Sequence, residues 1–120
     1  IRVIPLSGPS SITMALIASG LNGQNFAFNG YLPVKEKERI SIIRELEARA
    51  RRGQAQLFME TPYRNQKLLE SIVSICSDGT KLCIATDISL ETENIRTQTI
   101  SDWKKNMPEI NDHPTIFILQ

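Results

Sequence analysis

Two strand-to-helix junctions constrain this chain more than any other feature in it. In Leu57-Phe58-Met59-Glu60-Thr61-Pro62-Tyr63-Arg64 an apolar run reads as a buried strand and stops at a carboxylate. Thr61-Pro62 then reads as a helix start, with Thr61 as N-cap and Pro62 at the first helical position. Ile4-Pro5-Leu6-Ser7-Gly8-Pro9-Ser10-Ser11 has the same design. Open α/β sheets place their ligand sites at the carboxyl ends of strands, so a Glu, a Tyr and an Arg gathered there point to a site.

With 120 residues the chain is expected to be a single domain, 1–120, large enough for a real core. A net charge of +1 gives no global field to drive nucleic-acid binding. No apolar run approaches the roughly 20 residues that span a bilayer, so no membrane partner is expected. Cys76 and Cys83 sit in apolar surroundings without Cys-x-x-Cys spacing. They read as buried free thiols of a reducing cytosol, which implies a cytoplasmic protein and no metal site. The chain starts at Ile1 within one strand-like segment and ends in another, Thr115–Leu119, so it is expected to be a domain of a longer protein.

Residues 1–6 read as a strand and 10–19 as a helix that is apolar almost all round, closed by Gly20. A helix with so little polar face is expected to be fully buried or to dock on something else. Residues 26–32 read as a strand with Phe26, Phe28 and Gly30 on one face. Residues 36–52 form the clearest amphipathic helix: Ile40, Ile43, Leu46 and Ala50 face inward, and Lys35, Lys37, Arg39, Arg44, Arg49, Arg51 and Arg52 face outward among glutamates. A strand over 55–60 and a helix over 62–77 follow, the latter turning Leu68, Leu69, Ile72, Ile75 and Cys76 inward. Lys81–Thr86 reads as a strand, Glu93–Ile100 as an antiparallel one, Ser101 as the N-cap of a short helix, and 114–119 as the last strand. The order β-α-β-α-β-α-β-β-α-β implies a layered α/β domain with a mixed sheet of five or six strands flanked by helices.

Each chemically suggestive group also has a plain reading. Ser7–Ser11 offers N–H groups and hydroxyls at a helix start, which suits an anion or polar ligand edge, yet taken alone its composition is that of an ordinary cap. Glu60, Tyr63 and Arg64 can orient a substrate, or Glu60 can simply pair with Arg64. Asp87, Glu91 and Glu93 read as a turn on a solvated face. The basic face around Arg49, Arg51 and Arg52 can meet RNA phosphates, but its interleaved glutamates favour a self-paired helix. His113 stands alone and reads as a loop residue, with no nucleophile motif beside it.

Taken in order, Val3–Ser11, Ala18-Ser19-Gly20-Leu21, Phe28–Pro33, Phe58–Arg64, Leu82–Asp87, Glu93-Asn94-Ile95 and the final apolar strand resemble the C-terminal half of the tetrapyrrole methylase family. These are S-adenosyl-L-methionine-dependent methyltransferases with two α/β lobes. Within the family the likeness is to the branch that methylates small-subunit ribosomal RNA. Ser7 stands where the family usually has Pro, and Thr61 and Tyr63 stand where that branch has Ser and His.

The resemblance implies a site for S-adenosylmethionine between this lobe and an N-terminal lobe of the same chain, absent from these residues. By position, Ser10 and Ser11 would contact the cofactor at the helix start, and Met59 would pack near its adenine. Ala85, Pro114 and Thr115 would approach it with backbone. Glu60, Tyr63 and Arg64 would face the substrate side. The implied acceptor is a ribose 2′-hydroxyl of ribosomal RNA, with a second copy of the chain as a further partner in a homodimer. No catalytic base is named by this comparison. The alternatives are a tetrapyrrole C-methyltransferase of the same fold and a non-catalytic nucleotide- or RNA-binding module. By itself the lobe is expected to fold but to bind the cofactor weakly or not at all.

Overall fold

The computed structural model describes residues 25–88 and 90–120. The expected strand 1–6 and helix 10–19, with Ser10 and Ser11, lie outside the described residues. From residue 26 onward every expected element is present, in the expected order: β1 (Phe26–Tyr31), α1 (Glu36–Arg51), β2 (Ala55–Met59), a 3₁₀ turn (Pro62–Arg64), α2 (Asn65–Ile75), β3 (Lys81–Thr86), β4 (Asn94–Thr99), α3 (Ile100–Lys105) and β5 (Thr115–Leu119).

The strands form one mixed five-stranded sheet in the order β1-β2-β5-β3-β4. β1 and β2 are parallel, joined through α1. β5 runs antiparallel between β2 and β3, and β4 is antiparallel on the far edge. The inner strands are buried on both faces, which is why they read as continuous apolar runs. On one face Phe58, Leu82, Ile84, Phe117 and Leu119 join Ile43, Leu46, Leu68, Leu69, Ile72, Ile100 and Trp103 from the three described helices in one apolar cluster. On the other, Ala55, Leu57, Cys83, Ala85, Ile116 and Ile118 form a second cluster that includes no residue of a described helix. Trp103 places its indole N–H, 2.8 Å from the Leu82 carbonyl oxygen, so that ring is buried without an unmet donor.

Several local expectations are corrected. Arg39 is not on the outer face of α1 but 4% exposed, while Ile40 is only half-buried. The inner stripe runs Arg39, Ile43, Leu46, Ala50, a spacing of one helical face that begins one residue before Ile40. The Arg39 guanidinium donates to the Val34 carbonyl at 3.1 Å, where the chain enters the helix. The stretch 62–77 is not one helix: a 3₁₀ turn precedes α2, and Cys76 is already extended, so Val73 is buried and Ile75 half-buried. Thr61 caps nothing with its hydroxyl, which donates instead to Glu60. α3 is capped by Thr99, whose Oγ1 accepts from the Asp102 N–H at 3.3 Å, and not by Ser101. Phe26 and Phe28 do share a face, but on an edge strand, 45% and 46% exposed. The register then shifts between Phe28 and Tyr31, where Gly30 adopts φ +66° and the Asn29 side-chain amide fills the gap by donating hydrogen bonds to Leu57 O and Gln56 Oε1.

Both cysteines are buried and free. Burial, and then the Glu47 carboxylate, pushes the Cys76 thiol from 9.0 up to about 12. The native state therefore keeps a proton that the unfolded chain loses above pH 9. Stability from this group is fully present below pH 9 and falls as pH rises toward 12. Urea titrations between pH 8 and pH 11 are expected to show a smaller alkaline loss in Cys76→Ala than in the wild type. Equal losses would mean that Cys76 ionises freely in the folded state.

Candidate functional site

The topology brings the predicted residues to one end of the sheet. β1, β2 and β3 all point their carboxyl ends the same way, and β5 enters there antiparallel. Met59 pairs with Ile116, Ala85 also with Ile116, and Thr86 with Thr115. Met59, Glu60, Ala85, Pro114 and Thr115 are therefore neighbours on adjoining strands. Met59 is half-buried and shares the second apolar cluster with the buried Ala85. Thr115 is buried on the helix-bearing side, accepting from Asn65 Nδ2 at 3.1 Å and donating to the His113 carbonyl at 2.8 Å. Pro114 is exposed, and its carbonyl accepts from the Asp87 N–H at 2.9 Å. Tyr63 is exposed at the rim, with the Arg64 guanidinium 4.7 Å from its ring centre.

Glu60 is the most unusual group here. Its side chain is 2% exposed. One carboxylate oxygen accepts from the Thr61 N–H at 2.7 Å and from the Thr61 hydroxyl at 3.3 Å. Arg64 approaches that same oxygen only to 3.9 Å, and its side chain is a third exposed, so the ion pair is loose. The other oxygen is buried and has no partner among the described residues. Two more buried polar atoms lack partners among the described residues: Asn65 Oδ1 and Arg39 Nε. All three belong to the same end of the sheet, since α2 starts just beyond β2, and α1 starts at the carboxyl end of β1. Buried polar groups are almost always satisfied, so the orphaned acceptors of Glu60 and Asn65, where β2 gives way to α2, mark a spot suited to a polar partner.

One expectation fails at this end: Asp87 does not lie on a solvated face. His113 lies in a loop, as expected, but pairs with Asp87. The Asp87 side chain is 6% exposed, and its Oδ2 lies 2.8 Å from His113 Nδ1. The Thr92 hydroxyl donates to the same oxygen at 2.8 Å. Asp87 holds φ +52° and Asp112, beside His113, φ +67°, left-handed values that non-glycine residues rarely adopt. Glu91 and Glu93 are exposed, as expected. Sequence reasoning missed the pair because its members are 26 residues apart. Only the pairing of Thr86 with Thr115 brings them together, and the available signal was an Asp just after one strand and a His just before another.

Elsewhere, the basic helix face is self-paired, Arg49 with Glu45 and Arg51 with Glu47. A cavity of about 90 Å³ lined by Ile84, Thr86, Asn94, Arg96, Trp103 and Pro108 lies under α3. It is too small for a nucleoside, and of the sheet-end residues above it includes Thr86 alone. No cluster of metal-ligating side chains occurs among the described residues, and no described helix is long and apolar enough to cross a membrane.

No family model matches the chain. Curated proteins do. The chain is 32% identical over 108 residues to the ribosomal RNA small subunit methyltransferase I of Escherichia coli O157:H7, an overlap of 88% of this chain and 37% of that protein. It is 36% identical over 100 residues to the protein of the same name in Mesorhizobium japonicum, covering 83% of this chain and 33% of that one. The protein of that name in Bacillus subtilis is 33% identical over 100 residues, with the same two coverages, 83% and 33%. Its homologues are ribosomal RNA small subunit methyltransferases I. The chain spans about a third of the length of these methyltransferases. The crystal structure of the methyltransferase CobJ shares the fold, with a TM-score of 0.57 over 99% of this chain and 50% of that one at 20% identity. Methyltransferase chemistry in the homologues implies a methyl donor.

Proposed function

We propose that residues 1–120 are one domain, the C-terminal lobe of a cytoplasmic methyltransferase that uses S-adenosyl-L-methionine and acts on a ribose 2′-hydroxyl of ribosomal RNA. The observation that carries this reading is the convergence of Met59, Glu60, Ala85, Pro114 and Thr115 at one sheet end in a chain whose homologues are named as methyltransferases of small-subunit ribosomal RNA. The rest of the pocket is assigned to an N-terminal lobe of the same chain, in the length of the relatives that has no counterpart here.

The donor set fits. Glu60 Oε2 and Asn65 Oδ1 are buried acceptors without a donor among the described residues, and S-adenosylmethionine presents an ammonium, two ribose hydroxyls, an amino group and a positive sulfur. When bound, it supplies a methyl group on that positive sulfur. Met59 and Ala85 form an apolar floor that excludes water. Pro114 and Thr115 offer backbone at the edge, and Ser10 and Ser11 are assigned to the donor by their position in the sequence alone. The negative charge of Glu60, held in a low-dielectric setting, favours a cationic ligand. Arg64 and Tyr63 at the exposed rim suit an RNA strand, the first for phosphate and the second for base stacking. Catalysis then rests largely on orientation.

The test compares full-length protein with residues 1–120 by titration calorimetry against S-adenosylmethionine, followed by transfer of a labelled methyl group to small-subunit ribosomal RNA. The full-length protein is expected to bind at micromolar concentration and to label the RNA, and the isolated lobe to give no heat. A full-length protein that binds no donor would leave the non-catalytic module as the reading. Micromolar binding by the lobe alone would remove the shared pocket.

A further inference from the structure

Methylation of a hydroxyl leaves a proton to be removed, and the reading above, on which this inference rests, gives it no destination. We propose that His113, positioned by Asp87, is the general base that takes the proton from the acceptor hydroxyl.

The placement comes first. His113 immediately precedes Pro114 and Thr115, at the sheet end where Met59, Glu60 and Ala85 converge. The tautomer comes second. A carboxylate only accepts hydrogen bonds, so the 2.8 Å contact with Asp87 Oδ2 puts the ring proton on Nδ1. The neutral imidazole then carries its lone pair on Nε2. Access comes third: Nε2 has no partner among the described residues and the side chain is 49% exposed. A large acceptor such as RNA can reach it, and so can the water that later removes the proton.

Asp87 is held tightly enough to position a ring. Its N–H is bound by the Pro114 carbonyl, Thr92 donates to the oxygen that faces the imidazole, and its left-handed backbone is the kind of strain kept where surrounding contacts over-determine it. Glu60 is a poorer base: its free oxygen is buried and is assigned above to the methyl donor. The charged groups around His113 are Asp87 in contact from the end of β3, Asp112 beside it in its own loop, and Glu60 and Arg64 from the turn after β2.

In the step, an oxygen lone pair forms the O–CH₃ bond as the C–S⁺ bond breaks, and the sulfur keeps that pair to become a neutral thioether. The O–H proton passes to His113 Nε2. The imidazolium, stabilised by Asp87, returns it to solvent from its exposed edge.

The experiment uses full-length protein in two arms. Nitrogen-15 spectra of the ring, assigned by loss of the signals in His113→Gln, are expected to show the Nδ1-protonated neutral tautomer in the wild type and loss of that preference in Asp87→Asn. A ring protonated on Nε2 overturns the proposal, whether or not the protein transfers methyl groups. In the second arm, His113→Gln lowers kcat about 10²- to 10⁴-fold with donor affinity and melting temperature unchanged. Wild-type kcat rises with pH, because only a neutral ring accepts a proton, and the variant shows no such rise. A wild type that labels RNA while His113→Gln keeps its rate and pH profile overturns this inference alone. A wild type that neither binds the donor nor labels RNA overturns the methyltransferase reading and this inference with it.

Discussion

Phe117→Ala is expected to lower stability by about 3–5 kcal/mol, the usual scale for removing a fully buried aromatic ring. Phe117 lies on β5, the central strand, in one cross-strand row with Phe58 and Ile84. Its ring stacks on that of Phe58, with centroids 5.7 Å apart and planes 11° from parallel, and both residues are 0% exposed. Losing the ring removes the stack and opens a cavity with packed neighbours on every side, so little of the space can collapse. A domain of this size holds about 5–15 kcal/mol in all, so the loss is a large share of it. Denaturant titration of the lobe measures it, with Phe117→Leu as the milder comparison. A loss below about 1 kcal/mol would mean the site relaxes and the stacked pair is not central to the core.

Glu60→Gln is expected to reduce methyl transfer by the full-length protein by about 1–3 kcal/mol, the scale for a hydrogen bond to a charged group. The isostere keeps volume and one acceptor oxygen but removes the charge. Stability is expected to change little, because the pair with Arg64 is long and partly solvated, 3.9 Å with the guanidinium a third exposed. Activity relative to wild type, measured beside the melting temperature, separates the roles. Unchanged activity with a lowered melting point would make Glu60 a structural carboxylate and take it out of the site.

Local patterns carried most of the fold. Apolar runs, alternation and helical spacing placed every element from residue 26 on, and burial on both faces leaves long, legible stretches such as Leu82–Thr86 and Thr115–Leu119. Strand order was not legible for the same reason: a strand apolar on both faces fits any inner position, and nothing in Ile116-Phe117-Ile118 says that it sits between β2 and β3. Arg39 was misread because its type outweighed its position on the helix stripe. The site was half legible. Met59, Glu60 and Arg64 sit on one continuous junction that sequence displays directly. Asp87 and His113 meet only through pairing across β5, and Thr61, which looked like a cap, turned out to bind the carboxylate beside it. Ordinary spacing carries no trace of either contact.

The position of β5 also bears on how the protein emerges from the ribosome. Chains are made from the N-terminus, and early segments begin to fold first. Here the strand that joins the two halves of the sheet, Thr115–Leu119, is the last of the described elements to be synthesised. Until it arrives, β1–β2 and β3–β4 are two ribbons with no hydrogen bonds between them, and the strand edges of Phe58 and Ile84 that β5 will occupy stand unpaired. A nascent chain that has released β4 from the ribosome but not yet β5 therefore presents two open, apolar edges, the form most exposed to mispairing and to capture by chaperones.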